Sequence, residues 1–303
     1  MDSKIYSGWE SLPKGYCSDD LTEGCLVLEG GAFRALYASG VTDVLMENNI
    51  NMSCICGVSA GALNGANYAS GQIGRSARIN LKYRHDKNYV GVKPLLTDHG
   101  VIGFDYIFGE LDAVEPFDYE AFNKRRFVAV TSDVDTGRAH YWEKTNCKDL
   151  FQAIRASASM PYVSTPVEVE GTYNLDGGCS VNIPYNWAIR QGYKKIIVVK
   201  TRSADYREPK PLEPAVKLIE TYYKDKPALA DNLIHMHERY NLEMDELFYL
   251  DSHRTIFLIT PSQSLDDIGR LESDMEKLGQ LYYLGRRDCE SLIDDIKGYL
   301  NYL

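Results

Sequence analysis

The feature that most constrains the fold is the pentapeptide GVSAG at residues 57–61, which stands between two segments of opposite character. Residues 52–56 are an apolar run typical of a buried strand, and residues 60–70 are rich in small side chains that favour a helix. A serine on such a strand-to-helix turn has strained backbone angles, and side chains two positions before and after it would collide. The pattern therefore predicts a nucleophile elbow that presents Ser59.

Further apolar runs of strand length alternate with segments of helical periodicity. The other strand candidates are residues 25–29, 126–130, 172–175, 195–200 and 255–259. Strands that alternate with helices imply an α/β fold. We therefore predict a three-layer α/β/α sandwich with a mainly parallel central sheet.

The pattern becomes mostly helical after residue 212. Leu271, Met275, Leu278 and Tyr282 are spaced four, three and four apart, which predicts one face of a helix. Three prolines between residues 209 and 214 mark a boundary. We expect a core over residues 20–205 and a mostly helical C-terminal extension over residues 206–303. The extension should pack on the same globule, because strand 255–259 is expected to join the same sheet.

The composition excludes several classes of partner. The formal net charge of -10 argues against nucleic-acid binding and against electrostatic attraction to an anionic membrane, although a local basic patch is compatible with it. Residues 1–20 are polar, and no apolar run reaches the ~18 residues of a membrane span, so we expect at most peripheral membrane contact. The seven scattered cysteines are interpreted as reduced thiols, which predicts a cytoplasmic location.

A second motif, GGAFR at residues 30–34, lies at another strand-to-helix turn. Acyl transfer passes through a tetrahedral oxyanion that backbone N–H groups stabilise, and a glycine-rich turn lets the backbone approach that oxygen closely. The amides of Gly30, Gly31 and Ala32 are the predicted donors, with a plain structural turn as the alternative. Neither the dinucleotide pattern nor the Walker lysine pattern is matched. Arg34 could orient this loop or meet an anionic head group.

The third motif is Asp176-Gly177-Gly178, directly after the predicted strand 172–175. Its two glycines allow positive φ, so the carboxylate can be presented at a strand end. Taken alone, this tripeptide is an ordinary turn. It indicates a functional aspartate only in combination with the two other motifs.

In this order, the three motifs resemble the patatin-like phospholipase family, which has a glycine-rich oxyanion loop, then G-x-S-x-G, then D-G-G/A. The stretches SASMP at residues 157–161 and TSD at 131–133 are also similar to bacterial members. The resemblance covers residues 24–205, and the helical tail looks like an extension found on some of those members. One departure is that Ala32 and Ala35 replace two glycines of the common GGGxRG loop. Alanine keeps the N–H, so the oxyanion hole should survive.

The resemblance implies a serine-dependent acyl hydrolase of lipid esters that works through an acyl-enzyme. Ser59 would be the nucleophile and Asp176 its base, with no histidine, metal or cofactor. The supporting residues would be Arg34, Gly57, Gly61, Gly177 and Gly178. The head group, the acyl chain length and the oligomeric state are not determined by the sequence.

Two other functions stay open. An α/β-hydrolase-type esterase with a Ser-Asp-His triad would need a late histidine, for which His253 is the obvious candidate. A non-catalytic lipid-binding protein would use the same pocket without turnover. Residues 90–111, rich in apolar side chains and glycine, are either a mobile cap over an acyl chain or ordinary core.

Overall fold

The computed structural model describes residues 4–301, in which strands and helices alternate over most of the chain. Residues 1–3 and 302–303, the ends of the predicted polar arm and of the predicted extension, lie outside the described residues. The strands are β1 Gly15–Tyr16, β2 Thr22–Leu28, β3 Met52–Val58, β4 Gln72–Ile73, β5 Arg126–Asp133, β6 Ala139–Trp142, β7 Val167–Val169, β8 Thr172–Asp176, β9 Ile196–Val199 and β10 Phe257–Ile259.

The α-helices follow the same chain order. They are α1 Leu36–Glu47, α2 Ala60–Ala69, α3 Arg75–Tyr83, α4 Val92–Thr97, α5 Phe104–Phe108, α6 Glu110–Val114, α7 Tyr119–Lys124, α8 Leu150–Ser157, α9 Tyr185–Arg190, α10 Glu213–Tyr222, α11 Pro227–Ile234, α12 Met236–Ser252 and α13 Met275–Asn301. Short 3-10 turns occupy Trp9–Ser11, Ala32–Ala35 and Gly177–Cys179.

One mainly parallel sheet forms the centre of the molecule. Its strand order is β10-β9-β2-β3-β5-β8-β7, and β6 also pairs with β5. The strands from β10 to β5 are parallel, whereas β6 and β8 run antiparallel to β5, and β7 runs antiparallel to β8. The predicted strands at 25–29, 52–56, 126–130, 195–200 and 255–259 all belong to this parallel part. The mainly parallel sheet is confirmed.

The sheet is covered by helices on both faces, and β2 shows how its sequence permits this. Leu26 and Leu28 point into a core that they share with α1, α2 and α13. Cys25 and Val27 point into the opposite core, which they share with α9 and α12. Side chains on a strand alternate between faces, so a continuous apolar run is what two covered faces require. The predicted three-layer α/β/α sandwich is confirmed.

The C-terminal residues join this sandwich at two places. Strand β10 pairs in parallel with β9 at the edge of the sheet. Helix α13 lies against α1, and glycines at the crossing, Gly40 and Gly285, leave no room for a side chain against the facing backbone. The hydroxyl of Tyr282 on α13 donates to Asp43 on α1 at 2.7 Å.

The predicted helical face that began at Leu271 is wrong at its first member. Leu271 is exposed and precedes α13, which begins at Met275. The carboxylate of Asp274 accepts hydrogen bonds from the amides of Glu276 and Lys277, so it caps the helix one turn later than the apolar spacing suggested. Among the helices of residues 4–301, none is long and apolar enough to cross a membrane.

Candidate active site

The register of β5 brings the ends of two other strands together. Val58, the last residue of β3, pairs with Val130 of β5. The next residue of β5, Thr131, pairs with Asp176, the last residue of β8. Strand β6 occupies the other edge of β5, so β3 and the antiparallel β8 meet end to end on the same edge. Ser59 and Asp176 therefore lie at one junction.

The backbone at Ser59 has the strained geometry that the elbow requires. Its φ is 57° and its ψ is -129°, and helix α2 begins at the next residue. A Cβ at Gly57 would lie 2.5 Å from the carbonyl oxygen of Gly61, and one at Gly61 would collide with the carbonyl of Leu28. The two glycines thus have the steric role expected of them. The N-terminal end of α2 faces the site and favours negative charge there.

Two serines, one at the end of α8 and one just after it, hold this junction, and no local sequence pattern predicts this role. The hydroxyl of Ser157 accepts the amide hydrogen of Ser59 at 2.9 Å and donates to the carbonyl of Val130 at 2.6 Å. The carbonyl of Ser159 accepts the amide hydrogen of Asp176 at 2.8 Å. The SASMP stretch, noticed only through the family resemblance, therefore fixes the main chain at both candidate catalytic residues.

The Asp176 side chain is buried, with 7% of its surface exposed. It accepts a hydrogen bond from the Gly178 amide at 2.9 Å. Burial raises the pKa of Asp176 above its ordinary value, while the nearby Ser59 hydroxyl, the Gly178 amide and the charge of Arg270 oppose the rise. The carboxylate is therefore a stronger base than an exposed aspartate.

The glycines after Asp176 do not serve the purpose that the sequence suggested. Neither Gly177 nor Gly178 has a φ in the left-handed region, so the positive-φ explanation is wrong. A Cβ at Gly177 would instead collide with the carbonyl of Val130, and one at Gly178 would lie 3.1 Å from the Asp176 carboxylate. Close packing at the strand junction is what requires glycine here.

The loop of Gly30, Gly31 and Ala32 passes directly beside Ser59. A Cβ at Gly30 would lie 2.8 Å from that of Ser59. Gly31 has φ 141° and Ala32 has φ 51°, so both adopt conformations that favour glycine. Within residues 4–301, the amides of Gly30 and Gly31 donate to no protein acceptor. Thr201, which the sequence did not single out, holds the loop through its hydroxyl, which donates to the Gly30 carbonyl.

Two cavities in the described part of the chain share Ala32, Ser59 and Met160 in their walls. The first is mainly apolar, about 100 Å³, and its lining includes Leu63, Ile79, Ile102, Ile107, Phe108 and Phe151. The second is larger, about 440 Å³, and its lining includes Arg34, Asp176, Arg202, Tyr206, Tyr240 and Arg270. Ser59 therefore stands between two spaces with largely apolar walls, of which the larger also carries three arginines.

The segment 90–111 forms part of the apolar cavity. Ile102, Ile107 and Phe108 line it, and residues of α5 pack in a small separate core. On the outer side, α4 exposes the apolar side chains of Val92 and Leu96. Whether the segment opens as a cap or remains fixed as core stays a prediction.

The histidines lie outside the cavities at the junction, and His140 of β6 pairs with Thr131 on the edge of β5 opposite to Asp176. None of the histidines in residues 4–301 lines either of the two cavities. His253 is exposed at the end of α12, where its Nδ1 lies 2.8 Å from the carbonyl oxygen of Tyr249. Among the described side chains, no group of three or more His, Cys, Asp or Glu residues is arranged to hold a metal ion.

Comparison with protein families gives two matches. A family model described as "Patatin-like phospholipase" matches residues 26–189, more than half of the chain. A second model, described as a domain of unknown function (DUF6363), matches residues 226–301. The first match contains all three motifs, and the second contains most of the predicted extension.

Several curated proteins are similar in sequence. "Uncharacterized protein YjjU" of Escherichia coli is 27% identical over 273 residues, which cover 86% of this chain and 74% of that protein. "Lysophospholipase NTE1" of Scheffersomyces stipitis is 28% identical over 193 residues, 61% of this chain and 12% of that protein. The chain thus spans most of the first relative and only a small part of the second.

A mycobacterial protein and a solved structure are also similar to this chain. "Uncharacterized NTE family protein Rv1063c" of Mycobacterium tuberculosis is 28% identical over 160 residues, 52% of this chain and 43% of that protein. The crystal structure of VipD from Legionella pneumophila aligns with a TM-score of 0.46 and 13% identity, covering 89% of this chain and 67% of that one.

Proposed function

The chain belongs to the patatin-like phospholipase family, and on this premise we propose that it is a serine-dependent acyl hydrolase of lipid esters. The observation that carries the proposal is the position of Ser59, next to a buried Asp176 at the point where two cavities meet. A lipid ester has an acyl chain on one side of its carbonyl and a head group on the other, so each part would occupy one cavity.

The first chemical step is acylation of the serine. The Ser59 oxygen attacks the ester carbonyl carbon while its proton passes to the Asp176 carboxylate. The negative charge that develops on the carbonyl oxygen accepts hydrogen bonds from the amides of Gly30, Gly31 and Ala32. As the tetrahedral intermediate collapses, the C–O bond to the alcohol breaks and the alcohol takes the proton from Asp176.

The second step returns the enzyme to its starting state. Water attacks the acyl-enzyme carbonyl and gives its proton to Asp176, and the bond to Ser59 then breaks as the serine oxygen recovers that proton. The products are a free acid and the alcohol. Burial of Asp176 supports its use as the base, since an exposed aspartate with a pKa of about 4 would be a weak one.

We further propose that the two parts of the chain have different roles. The core over residues 20–205 carries the nucleophile, the base and the oxyanion loop. The extension over residues 206–303 packs on the same globule through β10 and α13.

The experiment that tests the proposal compares wild type with Ser59→Ala on a panel of aryl esters, monoacylglycerols and lysophospholipids. Ser59→Ala should lose about 10³-fold or more in kcat and keep the wild-type circular dichroism spectrum. The matched control is Ser53→Ala at the opposite end of β3, whose hydroxyl donates only to the Gly24 carbonyl and which should keep full activity.

Equal rates for wild type and Ser59→Ala would instead favour a non-catalytic lipid-binding protein. The triad alternative makes a different prediction, namely that His253→Ala abolishes activity while Asp176→Asn preserves it. In the dyad, Asp176→Asn should lose nearly as much activity as Ser59→Ala. The double variant should be scarcely worse than either, because the two side chains act as one unit.

A further inference from the structure

Arg34 is a buried arginine without an ion-pair partner among the described residues. It has 6% of its surface exposed and lines the larger cavity, and its Nε has no hydrogen-bond partner. Burying an unpaired charge is costly, so such a side chain indicates an anion that the ligand supplies. Because its guanidinium makes no hydrogen bond to the oxyanion loop, the role of orienting that loop has little support.

Two other arginines face the same cavity. Arg202 and Arg270 both line it. Burial, and then the positive charges of these two side chains, lower the pKa of Arg34 to about 10. Arg202 stacks on Tyr206, with 4.0 Å from its guanidinium carbon to the ring centre, and reaches Asp266 at 3.3 Å. Arg270 is exposed at the edge of this cavity, and its side chain has no ion-pair partner over residues 4–301.

The carboxylates of the cavity are committed to other groups. Glu29 accepts the Thr201 amide hydrogen at 2.5 Å, and Glu208 accepts the Tyr206 hydroxyl at 2.6 Å. Asp176 accepts the Gly178 amide hydrogen at 2.9 Å. None of these three carboxylates forms an ion pair with an arginine within the described ranges. The three carboxylates and three arginines of the wall balance in formal charge, but in the part of the chain that the structure describes the Arg34 guanidinium is left without an ion pair close to the nucleophile.

We propose that Arg34, Arg202 and Arg270 bind a phosphomonoester on the head-group side of the scissile ester, so that the preferred substrate is an anionic lysophospholipid. The inference rests on the proposed function and adds the head group that the sequence left undetermined. Guanidinium groups pair with phosphate oxygens in a bidentate manner, and a doubly charged phosphate matches several of them. A choline group would place a further cation beside three arginines.

The position of Arg270 gives the C-terminal extension a part in this recognition. Arg270 lies in the connection between β10 and α13, inside the region matched by the domain of unknown function. Its carbonyl accepts the amide hydrogen of Phe33 at 3.1 Å, which ties the connection to the oxyanion loop. The extension thus supplies one of the three arginines as well as packing against the sheet.

The test compares three substrates with one acyl chain, namely lysophosphatidic acid, lysophosphatidylcholine and monoacylglycerol. Wild type should have a kcat/KM at least tenfold higher for lysophosphatidic acid. Arg202→Gln and Arg270→Gln should each reduce that value about tenfold more than they reduce kcat/KM for monoacylglycerol. The matched controls are Arg207→Gln, on the same loop as Arg202, and Arg287→Gln, exposed on α13, which should leave all three rates unchanged.

A binding measurement separates failure of this inference from failure of the proposed function. Ser59→Ala protein should bind lysophosphatidic acid at least tenfold more tightly than lysophosphatidylcholine, and Arg270→Gln added to it should remove the difference. Inorganic phosphate should compete only weakly, because it lacks the acyl chain. Competition as strong as that of lysophosphatidic acid would mean a site for free phosphate and would overturn the proposal.

The remaining outcomes are also distinct. Equal kcat/KM for the three substrates, unaffected by the arginine variants, would overturn the phosphomonoester site and leave the hydrolase standing. Absence of all hydrolysis, combined with binding of lysophosphatidic acid that depends on Arg270, would refute the hydrolase and support the arginine site.

Discussion

Val58 and Asp176 pair with adjacent residues on one edge of β5, although one ends a parallel strand and the other an antiparallel strand. The proposed nucleophile and base are therefore positioned by main-chain register in the central sheet and not by flexible loops. A site built on strand ends is held to a small range of geometries, which acyl transfer requires.

The buried charge of Asp176 should cost the protein stability at neutral pH. Its pKa is raised in the folded state, so folding favours the protonated carboxyl, and the ionised form destabilises the fold once pH rises through the folded pKa. Asp176→Asn should therefore increase Tm at pH 7–8, and the gain should vanish below about pH 4, where both states are protonated. Thermal melts over pH 3–8 measure this. A lower Tm for Asp176→Asn at neutral pH would contradict it.

Asp133 provides a control for which the substitution should change Tm in the opposite direction. Burial raises its pKa, but hydrogen bonds from Thr136 and Asp135 outweigh burial and lower the pKa below its ordinary value. Its ionised form thus stabilises the fold above the unfolded pKa, and that contribution is lost as pH falls through the folded pKa. Asp133→Asn should decrease Tm at pH 7, and the decrease should shrink towards pH 3 in the same melts.

Gly177 should be intolerant of any side chain, for steric reasons. A Cβ there would collide with the Val130 carbonyl, so Gly177→Ala must separate β8 from β5 and move Asp176 away from Ser59. We expect a loss of roughly 2 kcal/mol or more in the free energy of unfolding and a fall in kcat of at least 100-fold. Gly298→Ala is the control, because nothing lies near its Cβ in α13 and the change should stabilise by up to about 1 kcal/mol. Urea titration and ester hydrolysis measure both variants.

The parts of the site that could be predicted from the sequence are those specified by neighbouring residues. The strand, the elbow at Ser59 and the following helix form one continuous sequence pattern. The alternation of such strands and helices along the chain also predicts the sandwich. Ser157, Thr201 and Arg270 gave no such signal, because their contacts with the motif residues join distant positions in the chain. The positive φ predicted for Gly177 is wrong for the same reason, because the carbonyl that excludes a side chain there belongs to another strand.

Ser157 should act as a positioning residue for the nucleophile. Ser157→Ala leaves the amide hydrogen of Ser59 and the carbonyl of Val130 without the bridging hydroxyl, which should cost about 1–3 kcal/mol of stability. With the elbow less fixed, kcat should fall about tenfold while KM changes little. Ser159→Ala is the matched control, because its hydroxyl donates only to the Arg155 carbonyl. If both variants had the same kcat, the positioning role would be excluded.

The apolar cavity should set the length of the acyl chain. Ile107 on α5 lines it, so Ile107→Phe should reduce its volume and move the maximum of kcat/KM to shorter chains, at an overpacking cost of about 1–3 kcal/mol. Leu96→Phe, on exposed α4 of the same segment, should leave the profile unchanged. A series of p-nitrophenyl esters with two to sixteen carbons measures both. An unchanged profile for Ile107→Phe would place the acyl chain elsewhere.

Arg34 should reduce the stability of the ligand-free protein, because its buried charge is compensated only when an anionic ligand binds. Its guanidinium is buried without an ion pair among the described residues, and replacing an unpaired buried charge by an apolar side chain of similar length removes a desolvation penalty. Arg34→Met should therefore raise the Tm of the free protein; a gain of about 1 kcal/mol corresponds to roughly 2 °C in a chain of this size. In the Ser59→Ala background, lysophosphatidic acid should raise the Tm of the protein that retains Arg34 and should have a much smaller effect once Arg34→Met is added. Arg287→Met, at an exposed position of α13, should alter neither value. A lower Tm for Arg34→Met without ligand would show that the guanidinium already has a stabilising partner in the free protein, and the anion would then not be needed to explain its burial.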